Sequence, residues 1–275
     1  MSEKIRVAAV QLVSSNDVNA NLETAGDLLA SAGGVNAQLV VLPEFFPIIA
    51  DDESEKLRYQ ETFGSGPMQE FLASQARALG AWIVGGSIPL RTGDPGKVTN
   101  TSLLYSPQGV CIARYDKIHL FDVNVDGRNE SYNESSTMLP GSRVVVAATE
   151  IGNIGMSICY DLRFPELYRS MLDQDVNIIT APSAFTETTG RKHWEFLVRS
   201  RAVENLCYII AANQGGQHSQ RRRTWGHSMI VDPWGEVLAT METGAGMIYA
   251  DIEPGQQAAL RSSFPALQHR RQYSV

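Results

Sequence analysis

A chain of 275 residues, 43% of them hydrophobic, holds enough apolar surface for one large core, and α/β folds of this length are often single units. Lys+Arg of 23 against Asp+Glu of 30 gives a net charge of -7, which argues against a general binder of nucleic acid or anionic membrane. No apolar run reaches the length of a membrane span, and no linker tract, charge block or fixed-period repeat divides the chain.

Residues 5–13 form a β-rich apolar run that predicts a buried strand. Leu22, Ala25, Leu28, Leu29 and Ala32 follow at helical spacing, with Asp17 or Asn19 as cap and Gly33-Gly34 as the end. Residues 38–42 predict a strand broken by Pro43. Pro67 opens a helix whose apolar face carries Met68, Phe71, Leu72 and Leu79, with Gly80 as its stop. Strands are expected over 82–88, 102–105 and 110–115. In the second half, 144–147 and 154–158 predict strands, Pro165 opens a short helix, and 176–180 is a strand. A helix over 193–205 turns Trp194, Leu197, Val198 and Ala202 inward, and strands over 207–212, 227–231, 237–239 and 247–250 close the chain. This mixture argues for a layered α/β fold; periodicity alone does not say whether it has one sheet or two.

Three positions combine reactive chemistry with suggestive surroundings. Cys159 ends the run Gly155-Met156-Ser157-Ile158-Cys159. Alternation there places Ile154, Met156 and Ile158 on a core face and Gly155, Ser157 and Cys159 on a face open to a ligand. The helix expected from Pro165 would favour its thiolate. Glu44 follows a strand and Pro43, and Phe45 and Phe46 would desolvate its carboxylate, making it a usable base. Lys117 offers an ammonium for an oxyanion. Read singly, each has a plain alternative: an inert buried thiol, a loop glutamate, a surface lysine. His119, His193 and His227 remain candidates for a Cys–His pair. Cys111, Cys159 and Cys207 are an odd, widely spaced set, and neither a disulfide framework nor a metal site is expected. The opening Met1-Ser2-Glu3-Lys4-Ile5 lacks the apolar stretch of a secretory signal, so a reducing cytoplasm is the expected setting.

Taken together, Leu42-Pro43-Glu44-Phe45-Phe46, the Tyr-x-Lys-x-His-Leu-Phe segment at 115–121, and Ile158-Cys159-Tyr160-Asp161-Leu162-Arg163-Phe164-Pro165-Glu166 resemble the nitrilase, or carbon–nitrogen hydrolase, superfamily. The similarity runs over nearly the whole chain. It implies a single domain over 1–275 with a four-layer αββα sandwich, an extended tail from about residue 254, and a homodimer paired across its helices. It also implies hydrolysis of an amide without a cofactor: Cys159 as nucleophile, Glu44 as base, and Lys117 with the backbone N–H of Tyr160 on the oxyanion. A further glutamate that positions the lysine is matched to Glu134, with Glu130 as its rival.

The resemblance further implies that the substrate is a small amide carrying a carboxylate, met by Arg163, the backbone of Phe185, and Thr189. From the residues alone, Arg163 fits equally an ion pair with Asp161 or Glu166. The basic loop at 214–228, with Arg221, Arg222 and Arg223, and Asp232-Pro233-Trp234-Gly235 are similar to the Nit branch of the superfamily. That branch implies cleavage of deaminated glutathione to 2-oxoglutarate and cysteinylglycine. An ω-amidase acting on α-ketoglutaramate, a true nitrilase and a non-catalytic scaffold are the alternatives, and the three arginines read alone are a solvated charge run.

Overall fold

Strand alternation builds two cores at once. β1 (Ile5–Gln11) turns Val7 and Ala9 to one side and Ala8 and Val10 to the other in this computed structural model, which describes residues 4–125 and 130–271, without the side chains at 125 and 130. In β2 (Leu39–Val41) and β3 (Trp82–Val84), Leu39, Val41, Trp82 and Val84 join the first side, and Val40 and Ile83 the second. The strands that follow are β4 (Ile88–Arg91), β5 (Val98–Tyr105), β6 (Cys111–Asp116), β7 (Asp122–Val125), β8 (Glu130–Asn133), β9 (Val146–Thr149), β10 (Gly152–Met156), β11 (Ile178–Thr180), β12 (Tyr208–Ala211), β13 (Met229–Val231), β14 (Val237–Thr240) and β15 (Gly246–Ile252). The helices are α1 (Val18–Gly34), α2 (Pro67–Leu79), α3 (Pro165–Met171), α4 (Glu187–Asn205) and α5 (Pro254–Ser263).

One sheet runs β15-β1-β2-β3-β5-β4, with β6 on β5; the other runs β14-β13-β12-β11-β10-β9; β7 and β8 form a separate hairpin. Between the sheets, Val7, Ala9 and Val41 share a core with Ile154, Ile178 and Ile210. Outside the first sheet, Ala25 and Leu29 of α1 and Met68 and Leu72 of α2 pack on Ala8, Val10 and Val40. Outside the second, Leu167, Tyr168 and Met171 of α3 and Trp194, Val198 and Ala202 of α4 join its core. The result is the four-layer αββα sandwich that the resemblance implies. Asp17 caps α1 through Oδ1, and Gly80 ends α2 in the left-handed conformation, both as their spacing suggests.

The structure departs from the sequence expectations in four places. The strand expected over 82–88 splits, because Gly85 and Gly86 break it and Gly86 has φ +51°. Helix α4 starts at Glu187, well before His193, because Thr186 caps it and accepts the Thr189 N–H at 3.3 Å. The segment expected to extend as a tail begins as α5, held where Gln257 Nε2 donates to the carbonyls of Asn177 (2.9 Å) and Leu206 (2.8 Å). The small-residue face of β10 is closed by α3: a Cβ on Gly155 would lie 2.7 Å from Met171 Sδ, and Tyr168 Oη donates to Ser157 Oγ at 2.9 Å. Cys159 therefore reaches a ligand from the turn beyond the strand.

Gly86 sets the path of the chain that carries Glu44. A Cβ there would lie 2.1 Å from the Pro43 carbonyl oxygen, and the adjacent Ser87 Oγ accepts the Phe45 N–H at 3.0 Å. Gly86→Ala is expected to lower the unfolding free energy by about 2 kcal/mol or more, from overpacking and a disfavoured φ, and to depress activity with it. Urea unfolding beside a turnover assay checks this; an unchanged midpoint would contradict the close approach.

Candidate active site

Three charged side chains meet below the ends of β2, β6 and the β7–β8 hairpin. Glu44 is 1% exposed, Lys117 2% and Glu134 6%. Lys117 Nζ donates to Glu44 Oε1 at 2.9 Å and to Glu134 Oε1 and Oε2 at 3.0 and 2.8 Å. Burial opposes the charge on Lys117, but Glu134 and Glu44 outweigh it and hold the ammonium well above the ordinary lysine pKa. Asn100 Nδ2 donates to both carboxylates, at 2.9 Å to Glu44 and 3.2 Å to Glu134. Glu134 also accepts the Phe121 N–H at 2.7 Å. Of the two glutamates weighed for this position, Glu134 is on the lysine, and the side chain of Glu130 lies outside the described residues.

Cys159 opens a short 3-10 turn, Cys159–Arg163, and has φ +48°, an unusual conformation for a residue with a side chain. Asp161 holds this turn. Its Oδ2 accepts from the Ile158 N–H at 2.9 Å and from Tyr115 Oη at 2.6 Å. Its Oδ1 accepts the His119 N–H at 3.1 Å and lies 2.7 Å from His119 Nδ1. One buried carboxylate thus ties the residue before the thiol to residues on either side of Lys117. His119 is engaged there and stacked on Phe164, His193 lies 3.2 Å from Arg163, and His227 contacts the Trp225 carbonyl. The side chain that acts most on the thiol is Glu44, whose carboxylate raises the Cys159 pKa after burial itself.

The surroundings of the thiol act against the helix-terminus expectation. Burial and then the Glu44 carboxylate push its pKa well above the ordinary value, against the opposing pull of Lys117. A raised thiol pKa keeps the proton on sulfur until a base removes it.

A cleft partly open to solvent exposes Glu44, Lys117, Glu134 and Cys159 and is walled by Phe45, Phe121, Tyr132, Tyr160, Ala184 and Phe185. Arg163, Thr189 and Arg222 also line it. Arg163 is paired with neither Asp161 nor Glu166 among the described ion pairs; its guanidinium lies over the rings of Tyr160 and Phe185, 5.6 and 5.4 Å from their centroids. The Phe185 backbone does not serve a ligand, since its N–H is donated to Asn213 Oδ1 at 3.0 Å, and its ring forms the wall instead. Thr189 Oγ1 shares a 2.9 Å hydrogen bond with Thr186 Oγ1. The basic run divides: Arg221 is exposed, Arg223 lies 3.6 Å from Glu187, and Arg222 alone of the three lines the cleft, bonded to Glu53 Oε1 at 2.7 Å.

Sequence reasoning missed Asn100, Asp161 and Glu53. A signal for Asn100 was present: Thr99-Asn100-Thr101-Ser102 is a polar run inside a buried strand, and buried polar groups need partners. Glu53 gave none, because its partner lies far along the chain.

A profile of the carbon–nitrogen hydrolase family matches residues 6–262. A protein of Synechocystis sp. (strain PCC 6803 / GT-S) named deaminated glutathione amidase is 42% identical over 266 residues, spanning 96% of this chain and 97% of that one. The Homo sapiens protein of the same name is 39% identical over 268 residues, spanning 96% of this chain and 82% of its own. The crystal structure of Saccharomyces cerevisiae Nit3, a member of branch 10 of the nitrilase superfamily, superposes with a TM-score of 0.88 at 32% identity, covering 99% of this chain and 98% of that one.

Since Glu44 helps raise the Cys159 pKa, removing its charge should lower it. In Glu44→Gln, the pH midpoint for alkylation of Cys159 by iodoacetamide is expected to fall by about one unit or more. Peptide-resolved alkylation rates read this, and a midpoint that stays or rises would contradict the assigned contact.

Proposed function

The chain belongs to the carbon–nitrogen hydrolase family, and on that premise we propose that it is an amidase that cleaves deaminated glutathione through a thioester on Cys159. The observation that carries this reading is one cleft in which the buried Lys117 Nζ lies 2.9 Å from Glu44 Oε1 beside the Cys159 thiol.

Glu44 accepts the Cys159 proton as sulfur attacks the amide carbonyl. Lys117 and the Tyr160 N–H hold the oxyanion of the tetrahedral intermediate. Glu44 then gives its proton to the departing nitrogen, so that cysteinylglycine leaves as an amine and the 2-oxoglutaryl group remains on sulfur. Water enters, Glu44 takes its proton, and collapse of the second tetrahedral intermediate releases 2-oxoglutarate and restores the thiol. Glu134 keeps Lys117 charged and aimed, and two easier steps replace one hard hydrolysis. No metal or cofactor takes part.

Arg163 and Thr189 receive the carboxylate of the acyl half, against the Phe185 ring. Arg222 receives the glycine carboxylate of the leaving half; Arg221 and Arg223, off the cleft, act at most as part of the loop that carries it. The reading extends to a homodimer across α4, supported by an exposed apolar face of Phe196 (75% exposed), Val203, Trp234 and Leu238. The free thiols of Cys111, Cys159 and Cys207 suit a reducing cytoplasm.

Release of 2-oxoglutarate from deaminated glutathione and from α-ketoglutaramate tests the assignment. Wild type is expected to prefer deaminated glutathione in kcat/KM by roughly tenfold or more, one charge-assisted contact's worth. Cys159→Ala should lose at least roughly a thousandfold in kcat. Preference for α-ketoglutaramate would leave the mechanism and overturn the substrate.

A further inference from the structure

The cleft carries a second charged group apart from the catalytic one. Arg222 Nη1 donates to Glu53 Oε1 at 2.7 Å, and the same carboxylate binds Lys56 Nζ through Oε2. Lys56 is fully buried, with its ammonium 3.8 Å from the centroid of the Phe45 ring, and Arg222 lies over that ring at 5.9 Å. A second tether, Ser219 Oγ to Asp51, docks the basic loop on the 3-10 segment Glu53–Tyr59. Arg222 and Lys56 thus share one carboxylate; burial lowers the Lys56 pKa against the pull of Glu53, and the guanidinium of Arg222 is the standing positive charge at the cleft. In the catalytic group two carboxylates, Glu44 and Glu134, share Lys117 among the described ion pairs.

We propose that Glu53 is a specificity-determining residue: it fixes Arg222, with Lys56 buried behind it, as a pre-organised clamp for a carboxylate on the leaving-group half of the substrate. The proposal rests on the amidase reading above and adds what the chemistry beyond the scissile bond must be. An anion here meets the Arg222 guanidinium, and the two carboxylates of the catalytic group turn the same anion away. Glu53 lies at the cleft wall and would repel a carboxylate on its own; held between Arg222 and Lys56, it acts by fixing the guanidinium, so that little side-chain entropy is lost on binding. An amide lacking a distal carboxylate leaves the clamp unfilled.

Calorimetry on the catalytically inert Cys159→Ala protein reads the clamp without turnover. The ligands are deaminated glutathione and its glycine methyl ester, which differ at the distal carboxylate only. The acid is expected to bind roughly 10- to 100-fold more tightly than the ester. That ratio should fall to within about threefold when Glu53→Gln or Arg222→Gln is added, and Arg222→Lys should recover part of it, having the charge without the fork. Should Glu53→Gln fail to fold, Glu53→Asp is the substitute, with a ratio between those of the parent and Arg222→Gln. Equal binding of acid and ester by the parent, or a full ratio retained without the Glu53 carboxylate, would overturn the proposal. Tight, carboxylate-dependent binding with no hydrolysis by the wild type would sink the substrate assignment and leave the clamp standing.

Discussion

Everything in this site depends on one ammonium group held between two buried carboxylates. Lys117 has three acceptor contacts within 3.0 Å from Glu44 and Glu134. Taking such charges out of water costs several kcal/mol per ion, and only close mutual contact offsets it. Remove the lysine and two carboxylates are buried without a counter-ion; remove Glu134 and the lysine is no longer aimed. The same arrangement acts on the thiol, because the carboxylate that steadies Lys117 also raises the Cys159 pKa. A base beside a neutral thiol is the starting point that proton transfer during attack requires.

The fold brings these groups together at strand ends. β1, β2 and β3 run parallel in one sheet, and β10, β11 and β12 run parallel in the other. Glu44 follows β2, Cys159 follows β10, Ala184 follows β11 and Asn213 follows β12, so both sheets deliver functional residues from the carboxyl ends of parallel strands. Asp161 then couples the second sheet to the first, with hydrogen bonds to Ile158 on one side and to Tyr115 and His119 on the other. Gly86 lets the chain before Glu44 approach closely enough to complete the group.

Local patterning made the outer helices readable: α1 and α2 begin and end where Asp17, Pro67 and Gly80 say they should. It misled at β10, where small residues looked like an open face but are small because α3 presses on them. The start of α4 was hidden because Thr186, Thr188 and Thr189 carry no apolar spacing, and only the cap hydrogen bond makes this stretch a helix N-terminus. At the site, resemblance supplied Glu44, Lys117, Cys159 and Glu134 as candidates, and their convergence became visible only in three dimensions. The basic loop shows the limit most plainly. Three adjacent arginines are alike in sequence, yet their partners separate them, and Glu53, which selects Arg222, stands 169 residues away.

The central claim is covalent catalysis by Cys159. Wild-type protein mixed with deaminated glutathione, quenched in acid within one turnover and mapped by peptide mass spectrometry tests it directly. The account predicts a 2-oxoglutaryl adduct on the peptide containing Cys159, forming and decaying fast enough to carry the steady-state rate. Steady turnover with no acyl group at Cys159, or with the adduct on Cys111 or Cys207, would contradict it.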